Sequence, residues 1–179
     1  MCSRLGLDFY RHDVLEVAPA LLGKVLCHVV GDDILRGRIT EVEAYRGEED
    51  TACHARAGRT RRTAVLYEAG GITYVYLCYG VHHLLNVVTG ADGQPQAVLI
   101  RGLAEATGPG RLTKRLGITT ADNAVDLVTS PNLWIEDDGF APGQITTSPR
   151  IGIAYASEED RRRLWRFMIE TTVSGGCQA

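Results

Sequence analysis

Apolar and polar residues alternate along positions 37–45, and a period of two residues predicts a β-strand with two distinct faces. One predicted face carries Ile39, Glu41, Glu43 and Tyr45, and the other carries Arg38, Thr40, Val42 and Ala44. The first face differs from that of a core strand, because ionised carboxylates are rarely buried without a partner or a function. We therefore expect the chemistry here. The alternative is an edge strand whose glutamates face water.

Other apolar runs predict the remainder of a sheet. Residues 24–30 and 34–45 predict one hairpin, and residues 84–89 and 96–103 predict a second. Further strands are predicted at residues 72–79, 134–135 and 151–154. Hairpins make neighbouring strands antiparallel, so the pattern predicts an α+β fold rather than a doubly wound one.

Helix signals lie toward the two ends of the chain. Asp13 predicts a helix start, Gly23 ends that helix, and Pro19 makes it start late or bend. A second helix is predicted from Pro109 to Gly117.

Two further segments complete the chain. Residues 157–160 resemble a capping box, which predicts a helix carrying Leu164, Trp165, Phe167 and Met168. Residues 46–62 predict a long polar loop, followed by a short helix at 63–69. Long loops in compact domains are often functional.

The composition is that of a globular protein, with 45% apolar and 23% charged residues. At 179 residues we expect one domain spanning residues 1–179. The net charge of −3 argues weakly against nucleic-acid binding, but the arginines are clustered. They lie at positions 56, 59, 61 and 62, and again at 161–163. A basic face can therefore exist on an acidic protein.

The five cysteines are odd in number and widely spaced, which favours reduced thiols over a disulfide framework or a zinc site. No apolar run approaches the roughly 20 residues that span a bilayer, and charges interrupt any apolar segment at the N-terminus. We therefore expect a cytoplasmic protein.

Two alternatives arise from the acidic and histidine residues. Glu41 and Glu43 would lie roughly 6.5–7 Å apart on one strand face, at the lower end of the spacing in inverting sugar hydrolases. Glu43 with His54, His82 and His83 would be a zinc set, although that spacing matches no known metal pattern.

Aromatic residues and a late arginine add to the candidate site. Tyr74 and Tyr76 share a strand face, where core packing is the simpler interpretation. Tyr79 precedes Gly80 at the strand tip and is well placed to protrude. Arg101 ends an apolar run, and an arginine there usually faces an anion or a polar site.

These residues, in this order, resemble the alkyladenine (3-methylpurine) family of DNA glycosylases over roughly residues 5–170. The matching segments are residues 20–26, 37–39, 41–45, 50–54, 73–76, 79–80, 86–87, 97–101, 108–110 and 150–153. The resemblance implies a compact α+β domain with a curved, mostly antiparallel sheet flanked by helices. It also implies excision of damaged purines from double-stranded DNA by base flipping, without a cofactor or metal.

The resemblance also assigns roles. Glu43 resembles the general base, and Arg101 and the Ile151 carbonyl resemble ligands of the attacking water; we expect Arg101 to lower the pKa of Glu43. Base-pocket residues are implied at Tyr45, His54, Tyr76 and Asn86, with Asn86 discriminating against guanine. Tyr79 resembles the wedge that replaces the flipped nucleotide, and His54 is also a candidate acid.

We further expect Arg59, Arg62 and Arg150 to contact DNA, and the enzyme to act as a monomer. Strand cleavage by an amine is not expected, because Lys24 and Lys114 are the only lysines and neither lies in a pocket motif. The alternative is a nucleic-acid-binding domain of the same fold without catalysis, which would not need Glu43 with Arg101.

Overall fold

The computed structural model describes residues 2–169, over which ten strands and four helices form the fold. The strands are β1 Ser3–Arg4, β2 Val25–Val30, β3 Asp33–Arg46, β4 Thr73–Cys78, β5 His82–Val88, β6 Gln96–Leu103, β7 Ala106–Thr107, β8 Leu133–Asp137, β9 Ile145–Ser148 and β10 Arg166–Ile169. The helices are α1 Leu7–Tyr10, α2 Val14–Leu21, α3 Pro109–Leu116 and α4 Glu158–Arg162.

The main sheet has the order β1-β8-β2-β3-β6-β5-β4, and its neighbouring strands are antiparallel. The predicted α+β fold with a mostly antiparallel sheet is therefore confirmed. β3 is the longest strand and also pairs with β10 beyond its central portion. Residues from α2 and α3 join the sheet in one apolar core.

An irregularity in β3 and β6 breaks the alternation that the sequence predicted. The register shifts between Ile39 and Val42, opposite Gly102 of β6. Ile39 consequently packs in the same core cluster as Val42 and Ala44, three and five residues along, rather than with Glu43. The prediction that Ile39 shares the face of the two glutamates is therefore wrong.

Gly102 explains how Glu41 fits into the irregular segment. A Cβ atom at Gly102 would lie 3.1 Å from the Cβ of Glu41 and 3.4 Å from the Thr40 hydroxyl. Only a residue without a side chain leaves this space open, so the glycine lets the Glu41 side chain lie across β6.

Both predicted hairpins are confirmed, and α2 ends at Leu21 with Pro19 inside it and Asp13 as its N-cap. Two predictions at the C-terminal end are wrong. Residues 151–154 form turns rather than a strand, and α4 stops at Arg162. Beyond it, Arg166–Ile169 forms a strand that pairs with β3 on one side and β9 on the other.

The connections of the middle region are short 3₁₀ turns at His54–Ala57 and Ala64–Tyr67, the latter where a short helix was predicted. Within residues 2–169, no helix has the length and apolar character required to cross a membrane.

Candidate active site

Glu43 is fully buried near the C-terminal end of β3, and both of its carboxylate oxygens accept hydrogen bonds. Oε1 accepts from the Ile151 amide at 2.7 Å, and Oε2 accepts from the Tyr45 hydroxyl at 2.8 Å. Nη1 of Arg101 lies 3.4 Å from Oε2. A carboxylate held by three donors has a fixed orientation.

Burial raises the pKa of Glu43 above its ordinary value, and the nearby Arg101 charge, the Ile151 amide and the Tyr45 hydroxyl each lower that pKa. Arg101 therefore lowers the pKa of Glu43 as expected, but desolvation has the larger effect and leaves that pKa raised overall. A carboxyl group with a raised pKa is a stronger base than an exposed one, which suits proton abstraction near neutral pH.

Glu41 belongs to a separate ion-pair arrangement. Its Oε1 accepts from Nε of Arg101 at 3.1 Å and from Nε of Arg166 at 2.6 Å. Arg166 comes from β10, the strand that the sequence did not predict. Glu41 therefore orients Arg101 and is not free to act as the second acid of a sugar hydrolase.

Arg150 lies inside the protein rather than on its surface. Its side chain is fully buried and forms a bidentate pair with Asp50, at 2.6 and 2.9 Å. Its guanidinium carbon lies 4.8 Å from the centre of the Tyr45 ring. The prediction that Arg150 contacts DNA is wrong, because the guanidinium is buried inside the protein, where a phosphate cannot reach it.

A narrow pocket opens beside Glu43. Its volume is about 40 Å³. Its walls are formed by β3, β4, β5 and the His54–Ala57 turn. Its lining residues are Tyr45, Ala52, Cys53, His54, Leu66, Tyr74, Tyr76, Asn86, Ala97 and Tyr155. The four side chains expected to line the base pocket all lie here: Tyr45, His54, Tyr76 and Asn86.

The aromatic rings of the pocket contact one another. The rings of His54 and Tyr76 are 4.6 Å apart between centroids, and those of Tyr74 and Tyr76 are 5.5 Å apart. Tyr74 is thus a pocket residue as well as a core residue, which sequence reasoning missed. Its shared parity with Tyr76 was the signal that indicated a common face.

His54 is neutral at physiological pH. Burial and the positive charge of Arg62 lower the pKa of His54 to about 4. Its Nδ1 lies 3.0 Å from the Tyr74 hydroxyl, so one ring nitrogen is already occupied. A neutral imidazole is a poor proton donor, which argues against the role of His54 as a general acid and leaves it as a hydrogen-bonding wall of the pocket.

Asn86 is fixed by its position inside β5. It is buried, and its side-chain nitrogen donates to the Tyr74 carbonyl at 3.0 Å. For Ile151, the contact with Glu43 is through its amide; the predicted water contact of its carbonyl stays a prediction.

A wider groove of about 660 Å³ leads from this pocket to the surface, sharing Tyr45, His54, Tyr76 and Tyr155 with it. Arg101 lies along the groove. The sequence analysis missed Tyr155, whose hydroxyl donates to the Ala52 carbonyl at 2.9 Å. Nothing in the local pattern marks it, because it reaches the groove from a turn.

Tyr79 stands at the mouth of this groove, at the tip between β4 and β5. Its side chain is 94% exposed, and its φ of +50° is unusual for a residue with a side chain. The expected protrusion is therefore present in the structure. An exposed aromatic ring in a strained backbone position suggests that the ring contacts another molecule.

The basic cluster also lies near the groove. Arg56 and Arg62 line it, and the guanidinium of Arg62 lies 5.3 Å from the centre of the Tyr76 ring. Arg59 is exposed and lies 3.4 Å from Glu68. In contrast, Arg162 and Arg163 of the second cluster pair with acidic residues of their own helix. The first cluster is thus the more available to an anionic partner.

The zinc alternative finds no support, because no group of three or more His, Cys, Asp or Glu side chains within residues 2–169 is arranged to hold a metal ion. Burial raises the pKa of the Cys53 thiol to about 12, which makes this pocket cysteine unreactive.

Comparison with known proteins shows which family has this arrangement. The family model described as methylpurine-DNA glycosylase matches residues 8–107 and 103–173. The chain belongs to the methylpurine-DNA glycosylase family. DNA glycosylases are hydrolases that cleave the N-glycosidic bond.

Individual relatives of this methylpurine-DNA glycosylase cover almost the whole chain. A protein of Borreliella afzelii (strain PKo), named "Putative 3-methyladenine DNA glycosylase", is 42% identical over 174 residues, which cover 90% of this chain and 94% of the relative. A protein of the same name from Sodalis glossinidius is 44% identical over 170 residues, covering 91% and 95%. One from Methanocella arvoryzae is 43% identical over 183 residues, covering 91% and 90%.

Proposed function

We propose that this methylpurine-DNA glycosylase removes damaged purines from double-stranded DNA by flipping the nucleotide and hydrolysing its N-glycosidic bond. The substrate class comprises 3-methyladenine, 7-methylguanine, hypoxanthine and ethenoadenine. The observation that carries the proposal is Glu43, a buried carboxylate with fixed orientation between an aromatic pocket and an arginine-lined groove. A binding domain without catalysis would have no need to bury this charge.

Flipping makes the base accessible. A base inside a duplex must leave the stack before it can react, which costs a few kcal/mol. Tyr79 is the wedge in this proposal, since its exposed ring can stack in the gap and offset part of that cost. Arg59 and Arg62 contact the phosphates flanking the lesion, where their charges attract the backbone.

The pocket then holds the base between aromatic rings. Stacking on an aromatic side chain is worth roughly 1–3 kcal/mol per base, and Tyr45 and Tyr76 supply such faces beside neutral His54. An alkylated purine carries extra positive charge, which favours the electron-rich tyrosine rings. Asn86, which lines the pocket, meets the amino group of guanine and disfavours the unmodified base. In 7-methylguanine, which keeps this amino group, the positive charge of the ring offsets the penalty by its attraction to the tyrosine rings.

The chemical step breaks the bond between C1′ of the sugar and the purine nitrogen. The departing base takes the bonding electrons, and the ionised Glu43 stabilises the positive charge that develops on the sugar. A water molecule oriented by Arg101 and the Ile151 carbonyl attacks C1′, and Glu43 accepts its proton. An abasic site and a free base result. Without an amine nucleophile the strand stays intact.

Base release from defined duplexes tests the proposal. Incubation with oligonucleotides carrying hypoxanthine, or with methylated DNA, should produce abasic sites that alkali converts to strand breaks. The Glu43→Gln variant should release base at least about 100-fold more slowly, because a general base contributes roughly 10²–10⁴-fold. The proposed mechanism fails if wild type releases no base from any of the four lesions, or if Glu43→Gln matches it. A borohydride-trapped adduct would contradict the absence of a lyase step.

We also propose that the enzyme acts as a monomer in the cytoplasm, on the nucleoid. A protein that grips one lesion on one duplex needs no second copy. Light scattering of the protein alone and bound to a lesion duplex tests this, and a 2:1 complex would contradict it.

A further inference from the structure

The buried ion pair between Arg150 and Asp50 lies directly behind the reactive carboxylate. Both side chains are fully buried, and the pairing is bidentate at 2.6 and 2.9 Å. Replacing a buried ion pair by apolar residues of equal volume often leaves stability unchanged or increased, so such a pair is weak evidence for a stabilising role. Its contacts instead indicate a geometric role.

Arg150 touches β3 at the two residues that follow Glu43. Its Nη1 donates to the Ala44 carbonyl at 3.0 Å, and its guanidinium carbon lies 4.8 Å from the centre of the Tyr45 ring. Tyr45 in turn donates its hydroxyl hydrogen to Oε2 of Glu43. The guanidinium plane therefore limits where the Tyr45 ring, and with it the hydroxyl donor, can lie.

The backbone after Arg150 reaches the other oxygen of the same carboxylate. The Ile151 amide, one residue along, donates to Oε1 of Glu43 at 2.7 Å. Residues 151–154 form turns, and a turn has no sheet hydrogen bonds to hold this amide in place. The Arg150 side chain holds it instead, through its hydrogen bonds to Ala44 and Asp50.

Asp50, which lies between β3 and the His54–Ala57 turn, fixes the Arg150 guanidinium in place. Its Oδ2 accepts from the Arg46 amide at 3.1 Å and its Oδ1 accepts from the Ala52 amide at 3.0 Å. The ion pair thus joins the end of β3, the start of the loop that carries His54 and the turn that carries Ile151. Both donors reach Glu43 through segments that this one pair connects.

We propose that Asp50 and Arg150 are positioning residues for the hydrolysis, which hold the Tyr45 hydroxyl and the Ile151 amide against the two oxygens of Glu43. This rests on the function proposed above. Arginine suits the task because its planar fork fixes the direction of each bond, which a lysine cannot do. A displacement of about 1 Å in such a site can cost roughly 100-fold in rate.

A paired substitution tests the proposal without leaving a charge buried alone. In the double variant Asp50→Asn with Arg150→Met, the single amide oxygen still accepts from one of the Arg46 and Ala52 backbone N–H groups, and the other N–H loses its partner. An unbranched apolar side chain fills the space of the guanidinium. Single-turnover release of hypoxanthine from a duplex is then measured across pH, with the melting temperature recorded for each protein.

The pH profile distinguishes positioning from a merely structural role. The Ile151 hydrogen bond and the Arg150 charge both lower the pKa of Glu43, whereas the Asp50 charge is a weaker influence of the opposite sign, so the loss of all three raises that pKa further. We expect release to slow by about 10- to 100-fold and its acid limb to move to higher pH. A folded double variant with a rate within about twofold of wild type, or with a slower rate and an unmoved acid limb, would overturn the proposal.

A milder variant and a matched control complete the experiment. Arg150→Lys keeps the positive charge but loses the fork, and it should show a smaller loss and a smaller shift in the same direction; a wild-type profile would contradict the proposal. Asp138→Asn breaks the bidentate pair between Asp138 and Arg38. Arg38 lies on β3, as Glu43 does, but outside the site, so this variant should release base at the wild-type rate.

Failure of the proposed function is separable from failure of this inference. Wild-type release together with loss in Glu43→Gln establishes the reaction. If those two results hold while the pair variants keep the wild-type profile, only the positioning role of Asp50 and Arg150 is wrong.

Discussion

The hydroxyl of Tyr45 donates a 2.8 Å hydrogen bond to Oε2 of Glu43, two residues earlier on the same strand. Residues two apart on a strand share a face, which lets one side chain reach the other without disturbing the backbone. The ring that forms a wall of the base pocket is therefore also a ligand of the proposed base. Substrate binding and carboxylate orientation depend on one side chain.

Removing the Tyr45 hydroxyl should separate these two tasks. Tyr45→Phe keeps the aromatic wall but loses the hydrogen bond that lowers the pKa of Glu43. We expect hypoxanthine release at neutral pH to fall by about 10- to 100-fold, in line with the roughly 1.5–3 kcal/mol of a hydrogen bond to a charged group. The acid limb should move to higher pH while lesion binding changes little, as measured by single-turnover rates and fluorescence anisotropy.

Tyr67→Phe is the matched control for that variant. The Tyr67 hydroxyl also donates to a glutamate, Glu48, but lies outside the pocket. An equal fall in rate for both variants would show that the Tyr45 hydroxyl has no special relation to Glu43.

The charge of Glu43 should lower the stability of the folded protein. Its folded pKa lies above the unfolded value of 4.5, so wild-type stability falls as pH rises from 4.5 through the folded pKa. Glu43→Gln removes this titration. Its melting temperature should therefore exceed that of wild type at pH 7 by more than it does at pH 4.5. A melting temperature of Glu43→Gln that does not gain on that of wild type between pH 4.5 and pH 7 would contradict this account of the site.

Replacing Tyr79 should also raise stability while it weakens function. Tyr79→Gly relieves the positive φ and removes no packed side chain, so stability should rise by up to about 1 kcal/mol. Retention on a lesion duplex should weaken, because the ring that fills the gap is lost. Urea unfolding and lesion-binding anisotropy measure the two effects. Val81→Ala, at the same tip, is the control and should change neither by much.

The basic cluster should govern the salt dependence of DNA binding. Arg62→Ala should weaken binding to lesion and undamaged duplexes alike and reduce the slope of log K against log salt by about 1. Arg162→Ala serves as the control, since Arg162 is paired with Glu158 in its own helix. If both variants leave the slope unchanged, the DNA contacts lie elsewhere on the protein.

Much of the site was predictable because its signals are local. Glu43 and Tyr45 lie two apart on a strand, Tyr79 precedes a glycine at a strand tip, and Arg101 ends an apolar run; each pattern depends only on near neighbours in the chain. Such patterns predicted the α+β class and the two hairpins, and the resemblance carried by the order of the motifs implied four of the pocket side chains.

The tertiary structure alone decided the contacts between distant segments. Arg150 was expected at the surface as a charged residue, yet Asp50, 100 positions away, neutralises its charge in the interior. Arg166 reaches Glu41 only because its segment joins β3 as a strand, and the irregular register beside Gly102 moves Ile39 into the core. The sequence by itself determines the helix and strand propensities and which residues share a face of one strand. Which buried charge meets which partner depends on long-range packing, because its energy comes from contacts between segments far apart in the chain.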